Sequence, residues 1–179
     1  MPRLNVVGPD QATGELKDIY ADITAKLGKV INIFQGMGNS PAALKAYLGM
    51  SGTLAEGQLS PEDREVVYLA VSQQNGCNYC VSAHTVIATK KVGMSDEAVL
   101  AIRRMEPEGE KHQALLRFVT RVMETKGFVD DSDVEAVRKA GYSDGQIAEA
   151  VAYIALATYS NFFNHVYDTP LDLPKAPAI

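Results

Sequence analysis

Apolar positions in this chain recur every three or four residues, and the runs that carry them are bracketed by helix start and stop signals. Ser40-Pro41 precedes AALKAYLGM, Ser60-Pro61-Glu62-Asp63 precedes REVVYLAV, Ser95-Asp96-Glu97 precedes AVLAI, and Ser143-Asp144-Gly145-Gln146 precedes IAEAVAYI. Each offers a side chain that can cap the open amides of a helix start, followed by Pro, an acid or Gln in the first turn. Gly57, Asn75-Gly76, Gly93, Gly127 and Gly141 close the runs. No segment alternates with period two between hairpin turns, so the pattern predicts an all-α fold, one bundle of about seven to nine helices.

Two runs stand apart. From Ala150 to Asn164 the chain carries no charge, and a helix apolar on every side belongs at the centre of a domain or at a subunit interface, so a homo-oligomer is expected. Asn161 and the nearby His165 are read first as packing with satisfied polar ends, and secondarily as pocket-lining; Phe162 and Phe163 are read as packing. The run EGEKHQALLRFVTRVMETKG is strongly amphipathic, and His112 among its charges is read as a solvated surface histidine.

With 179 residues the chain fits one domain over 1–179, with short irregular tails at 1–12 and 168–179, and it can bury enough core to need no disulfide staples. The N-terminal stretch has no apolar run of signal-peptide length and no segment has eighteen consecutive apolar residues, so a soluble, cytoplasmic protein is expected, with no membrane partner. A net charge of −5, with Lys and Arg interspersed among Asp and Glu, offers no basic stripe for nucleic acid.

Both cysteines fall in NGCNYCVSAHTV, and in a reducing compartment a close pair is more often catalytic or metal-binding than a permanent bridge. If the chain is helical from Cys77, then Cys77, Cys80 and His84 share one face, with Cys77 in the first turn, where open amides favour thiolate. Glu65 is the one acid deep in the preceding apolar run. A continuous helix would set it about 28 Å from His84, whereas a reversal at Asn75-Gly76 brings the two to similar heights. The motif region 60–92 is therefore expected to be an antiparallel helical hairpin. Three uses of this set stay open: a redox dithiol; a zinc or iron site built from Cys77, Cys80, His84 and Glu65; and buried thiols beside a satisfied core histidine.

Glu65, Cys77, Cys80 and His84 at these spacings resemble the E-x11-C-x2-C-x3-H pattern of alkylhydroperoxidase D (AhpD)-like proteins in the carboxymuconolactone decarboxylase superfamily. GKVINIFQGMGNSPAALKAYLGM and SNFFNHVYDTPLDLP resemble flanking segments of its peroxidase-related branch, so the likeness spans most of Gly14 to Pro174. The resemblance implies an all-helical homo-oligomer that uses the two cysteines as a peroxide-reducing or disulfide-exchanging dithiol. It implies no bound cofactor, and an external dithiol reductant such as a lipoyl-type donor. By residue it implies Cys80 as the peroxidatic thiol that becomes sulfenic acid, Cys77 as proton donor and resolving thiol, and Glu65 and His84 as the relay. One position departs from it: Tyr79 stands where well-studied members carry a histidine. Decarboxylase members generally lack the cysteine pair, which argues against lactone chemistry.

The chemistry explains why a bare cysteine pair would not suffice. Lowering a thiol pKa from about 8.5 to ~6.5 raises the thiolate fraction at pH 7 about 25-fold, and the accompanying loss of nucleophilicity takes back about 8-fold. The net gain is near threefold. A proton for the departing oxygen is the larger need, and a histidine or thiol backed by a carboxylate supplies it. A non-catalytic alternative also remains, a helical oligomeric binding protein whose dithiol senses redox state without turning over.

Overall fold

A computed structural model describing residues 1–179 shows nine α-helices and no strand. They are α1 (Glu15–Leu27), α2 (Asn32–Met37), α3 (Pro41–Ala55), α4 (Pro61–Gln74), α5 (Asn78–Ile87), α6 (Asp96–Arg103), α7 (Glu110–Thr125), α8 (Asp131–Lys139) and α9 (Asp144–Tyr167). The capping signals act where expected: Ser40, Ser60, Ser95 and Ser143 each accept a hydrogen bond from a first-turn amide. No helix is long and apolar enough to cross a membrane.

The central helix is α4 rather than α9. Val66 through Val71 are all buried, because this helix packs against α5, α6, α7 and α9 at once. The charge-free run within α9 is buried along one side only, through Ala150, Tyr153, Ile154, Ala157, Asn161 and Asn164. Its other side leaves Val151, Tyr159, Phe162 and Val166 exposed. Phe162 therefore does not pack inside the protein, a correction to the expectation for that residue, and Phe163 is only half-buried.

Two apolar clusters fill the interior. The larger joins α4, α6, α7, α8 and α9, and the smaller joins α1, α2 and the start of α3 to Cys77, Tyr79 and Cys80. The cysteines thus sit in the smaller core, with α4 forming the wall shared with the larger one. The end segments lack α-helix but are tied to the body. Arg3 N–H donates to the Tyr167 carbonyl at 2.9 Å, and the Ala176 amide donates to Ser82 Oγ at 3.1 Å.

His112 corrects another expectation. Its Nε2 lies 3.3 Å from Asp63 Oδ1 and its side chain is only 25% exposed, so it is a partner of a buried carboxylate and not a solvated surface group. Asp63, at the third position of α4, also accepts from Ser60 Oγ at 2.8 Å and from the Tyr142 hydroxyl at 2.6 Å. Burial alone would raise its pKa, but bonds from His112, Tyr142 and Ser60 outweigh that and hold it well below the usual carboxylate range. A carboxyl depressed in the folded state contributes stability above its unfolded pKa of about 4 and loses it as pH falls. Tyr142→Phe is expected to lower stability by about 1–3 kcal/mol at neutral pH and to flatten the acid side of the stability–pH curve, as measured by urea unfolding.

Candidate active site

The local sequence makes α4 and α5 meet. Asn75 caps the end of α4, and Gly76 takes φ +66°, a left-handed conformation open to glycine at little cost. The Cys77 amide then closes on the Ser72 carbonyl at 2.9 Å, and the chain returns along α4 as α5. Cys77 is the N-cap of α5, one position before the first turn in which the sequence placed it. Cys80 lies one turn further on, and both are buried free thiols.

The return brings Glu65 to His84. The Glu65 carboxylate accepts from His84 Nδ1 at 2.8 Å, and both side chains are nearly shielded from solvent. Tyr68, one turn beyond Glu65, stacks flat on the His84 ring with centroids 3.8 Å apart and planes at 11°. The imidazole is therefore held by a carboxylate at one nitrogen and an aromatic face on one side, which fixes its plane. Nowhere in the chain do three His, Cys, Asp or Glu side chains group as ligands for a metal ion. The four motif residues form two pairs, Glu65 with His84 and Cys77 with Cys80.

Helix α9 covers the dithiol with polar groups that the motif does not contain. Asn164 Nδ2 donates to Cys80 Sγ at 3.1 Å, and Ser160 Oγ lies 3.7 Å from the same sulfur. Asn161 is fully buried and ties α9 to the α4–α5 turn, donating to Ser72 Oγ at 3.2 Å and accepting from Asn75 at 3.0 Å. This matches its reading as a satisfied packing residue. His165 is exposed and does not line the cavity beside Cys80. Asn164 and Ser160 were missed as sulfur contacts, although Ser160, Asn161 and Asn164 form a polar stripe at helical spacing within the uncharged run of α9.

Tyr79, at the position that departs from the family pattern, points away from the relay. Its hydroxyl donates to Asp172 Oδ1 at 2.8 Å, and Asp172 also accepts from the Asn32 amide at 3.2 Å and pairs with Lys29 at 3.4 Å. Burial first, then the bond to Asp172, raise the Tyr79 pKa far above the tyrosine range. Here the residue anchors the C-terminal tail to α2 and α5, and has no proton to exchange at neutral pH.

The sulfurs differ in electrostatics and in access. Bonding from the Cys80 thiol, assisted by the Cys80 amide and opposed by burial, brings Cys77 down to about 6. The same bond, together with burial, pushes Cys80 up. Their shared bond therefore favours negative charge on Cys77 over Cys80. Access runs the other way: Cys80 lines a cavity of about 970 Å³ with Glu65, Tyr68, His84, Phe34 and Tyr47, and Cys77 does not.

Residues 41–121 match the model of the carboxymuconolactone decarboxylase family. Over 74 residues the chain is 39% identical to the alkyl hydroperoxide reductase AhpD of Solibacter usitatus (strain Ellin6076), an overlap covering 40% of this chain and 41% of that relative. The chain thus matches well under two thirds of that relative's length. The fold is similar to a crystal structure described as an alkylhydroperoxidase AhpD core, an uncharacterized peroxidase-related protein from Ralstonia eutropha JMP134, with a TM-score of 0.86 at 22% identity over 96% of this chain and 92% of that one. It is also similar to the debrominase Bmp8, seen as a cysteine-to-alanine variant in complex with 2,3,4-tribromopyrrole, with a TM-score of 0.77 at 20% identity over 96% of this chain and 94% of that one. At these identities the structural likeness establishes the fold.

Proposed function

We propose that the chain is an AhpD-like protein of the carboxymuconolactone decarboxylase family, and that it is a thiol-dependent peroxidase that reduces hydroperoxides through a Cys77–Cys80 dithiol–disulfide cycle. The observation that carries the reading is a bonded pair of free thiols with unequal access, of which Cys80 shares a cavity wall with a carboxylate-backed imidazole.

The cycle starts from the shared proton. Its transfer from Cys80 to Cys77 leaves a thiolate on the sulfur that faces the cavity. That sulfur attacks the outer peroxide oxygen, forming Cys80 sulfenic acid as the O–O bond breaks, and Cys77 returns its proton to the departing alkoxide. The Cys77 thiolate then displaces hydroxide from the Cys80 sulfur, forming the disulfide, and a proton from His84 converts that hydroxide to water. One hydroperoxide, the proton shared by the thiols and the proton from His84 become an alcohol and water, and two electrons leave the dithiol. An external dithiol restores the pair by exchange through a mixed disulfide. Glu65 holds the charge of the imidazolium that forms whenever His84 carries the travelling proton.

Sustained hydroperoxide consumption with dihydrolipoamide as reductant is the deciding assay. A single turnover that stops would instead favour a redox sensor. The pH dependence adds a second check: with Cys77 brought down to about 6, the pair loses its shared charge below that pH. The rate of the first oxidation step, followed by stopped flow, is expected to be level above pH 7 and to fall about tenfold per unit below about pH 5.5. A rate that climbs steadily to pH 9 would mean that no thiol ionises near 6.

The cavity supports a second reading. Its volume, and aromatic lining by Phe34, Tyr47 and Tyr68, suit a ring-shaped substrate such as the brominated pyrrole held by Bmp8. A dithiol could replace bromine by hydrogen, becoming a disulfide as bromide and a proton leave. Bromide release from 2,3,4-tribromopyrrole, without hydroperoxide consumption, would select that reading. In either case the exposed apolar side of α9 suits contact with a second copy of the chain, which sedimentation would detect as a homo-oligomer.

A further inference from the structure

Helix α9 ends in a way that fixes the orientation of one side chain. Asp168 takes φ +57°, which folds Thr169 back over the last turn, where its amide bonds the Asn164 carbonyl at 3.2 Å. The Thr169 hydroxyl donates to Asn164 Oδ1 at 2.6 Å. With its oxygen held in this way, the buried Asn164 amide must present Nδ2 to the dithiol, and that nitrogen lies 3.1 Å from Cys80 Sγ.

The other polar neighbours, Ser160 and Asn161, also favour charge on Cys80, but each already donates to another group. Ser160 gives its hydroxyl proton to the Ala157 carbonyl at 2.9 Å, and must turn it away from that carbonyl to donate to Cys80. Asn161 donates to Ser72 Oγ. Asn164 is thus the donor that need not be re-aimed when the proton leaves Cys80.

We propose that Asn164 is a catalytic residue of the dithiol site, its amide acting as the fixed donor that holds negative charge on the Cys80 sulfur, with Thr169 as the positioning residue that aims it. The proposal rests on the reading of Cys80 as the attacking sulfur. A preset donor stabilises thiolate without reorganising at the moment of proton transfer. It also lowers the nucleophilicity of the sulfur it stabilises. Ionisation should therefore respond more than rate, and this separates charge-holding from general acid catalysis.

The test uses the full-length Cys77→Ser variant, in which Cys80 is the sole thiol, and reads Cys80 ionisation from the pH dependence of its alkylation by iodoacetamide. Cys77 is removed in every arm, while Tyr47, Tyr68, Tyr79, Glu65 and His84, which also face this sulfur or its cavity, are unchanged. Adding Asn164→Ala is expected to raise the Cys80 pKa by about one to two units. The rate of Cys80 oxidation by peroxide at pH 7 should fall only about three- to twelvefold, because nucleophilicity recovers part of the loss. Thr169→Val, at a half-buried position outside the helix, should shift the titration in the same direction by less, and Thr169→Ser should restore it. If Asn164→Ala does not fold, the Thr169 pair carries the test alone. An unchanged titration in the folded variants overturns the proposal. Because the titration needs no peroxide, a wild-type protein that fails to consume hydroperoxide would sink the peroxidase reading and leave this result interpretable.

Discussion

Cys80→Ser is expected to abolish both hydroperoxide consumption and labelling by a sulfenic-acid probe, while Cys77→Ser loses turnover but accumulates sulfenic acid on Cys80. The asymmetry follows from access: Cys80 lines the cavity and Cys77, at the N-cap of α5, lies behind it. Electrostatics alone would point the other way, since the shared bond favours charge on Cys77. Access should win, because a sulfur that cannot reach the O–O bond cannot be the one oxidised first, whereas the shared proton can move from one sulfur to the other before attack. Without Cys77, the Cys80 sulfenic acid has no resolving thiol, and the first step should also slow because the neighbouring proton acceptor is gone. Mass spectrometry of trapped sulfenic acid in each single variant is the measurement. Labelling on Cys77 in Cys80→Ser, with none on Cys80 in Cys77→Ser, would reverse the roles.

Much of this arrangement was readable from residue spacing. Serine caps and glycine stops gave the helices because these signals act within a single turn. Asn75-Gly76 located the reversal, and it mattered because only a returning chain lets Glu65 reach His84. What spacing could not give was anything set by how α9 lies over the dithiol. Asn164 is 84 residues from Cys80, so nothing local links them. Nor could composition separate an uncharged run from a buried one: α9 carries no charge from Ala150 to Asn164 yet exposes Phe162 there, while the less conspicuous α4 is the buried helix. His112 was misjudged for a related reason. Its charged sequence neighbours face solvent, but its own contact, Asp63, is contributed by a different helix.

Glu65→Gln and His84→Ala are each expected to slow Cys80 oxidation by about 10²- to 10⁴-fold while both thiols remain present, if the pair moves or stabilises the proton in flight. The two variants differ in what they do to the fold. Glutamine can still accept from His84 Nδ1 through its carbonyl, so Glu65→Gln should leave stability nearly unchanged while removing the charge that supports an imidazolium. His84→Ala deletes the partner of a buried carboxylate and the ring on which Tyr68 stacks, so it should also destabilise the protein, by about 3 kcal/mol or more. Rate and stability must therefore be measured together, by single-turnover oxidation and urea unfolding. If the residues act as one relay, the double variant should be scarcely slower than His84→Ala alone, since removing the imidazole already removes what the carboxylate supports. Wild-type oxidation rates in a folded Glu65→Gln protein would reduce the carboxylate to a structural anchor, and multiplicative losses in the double variant would show two independent contributions instead of one relay.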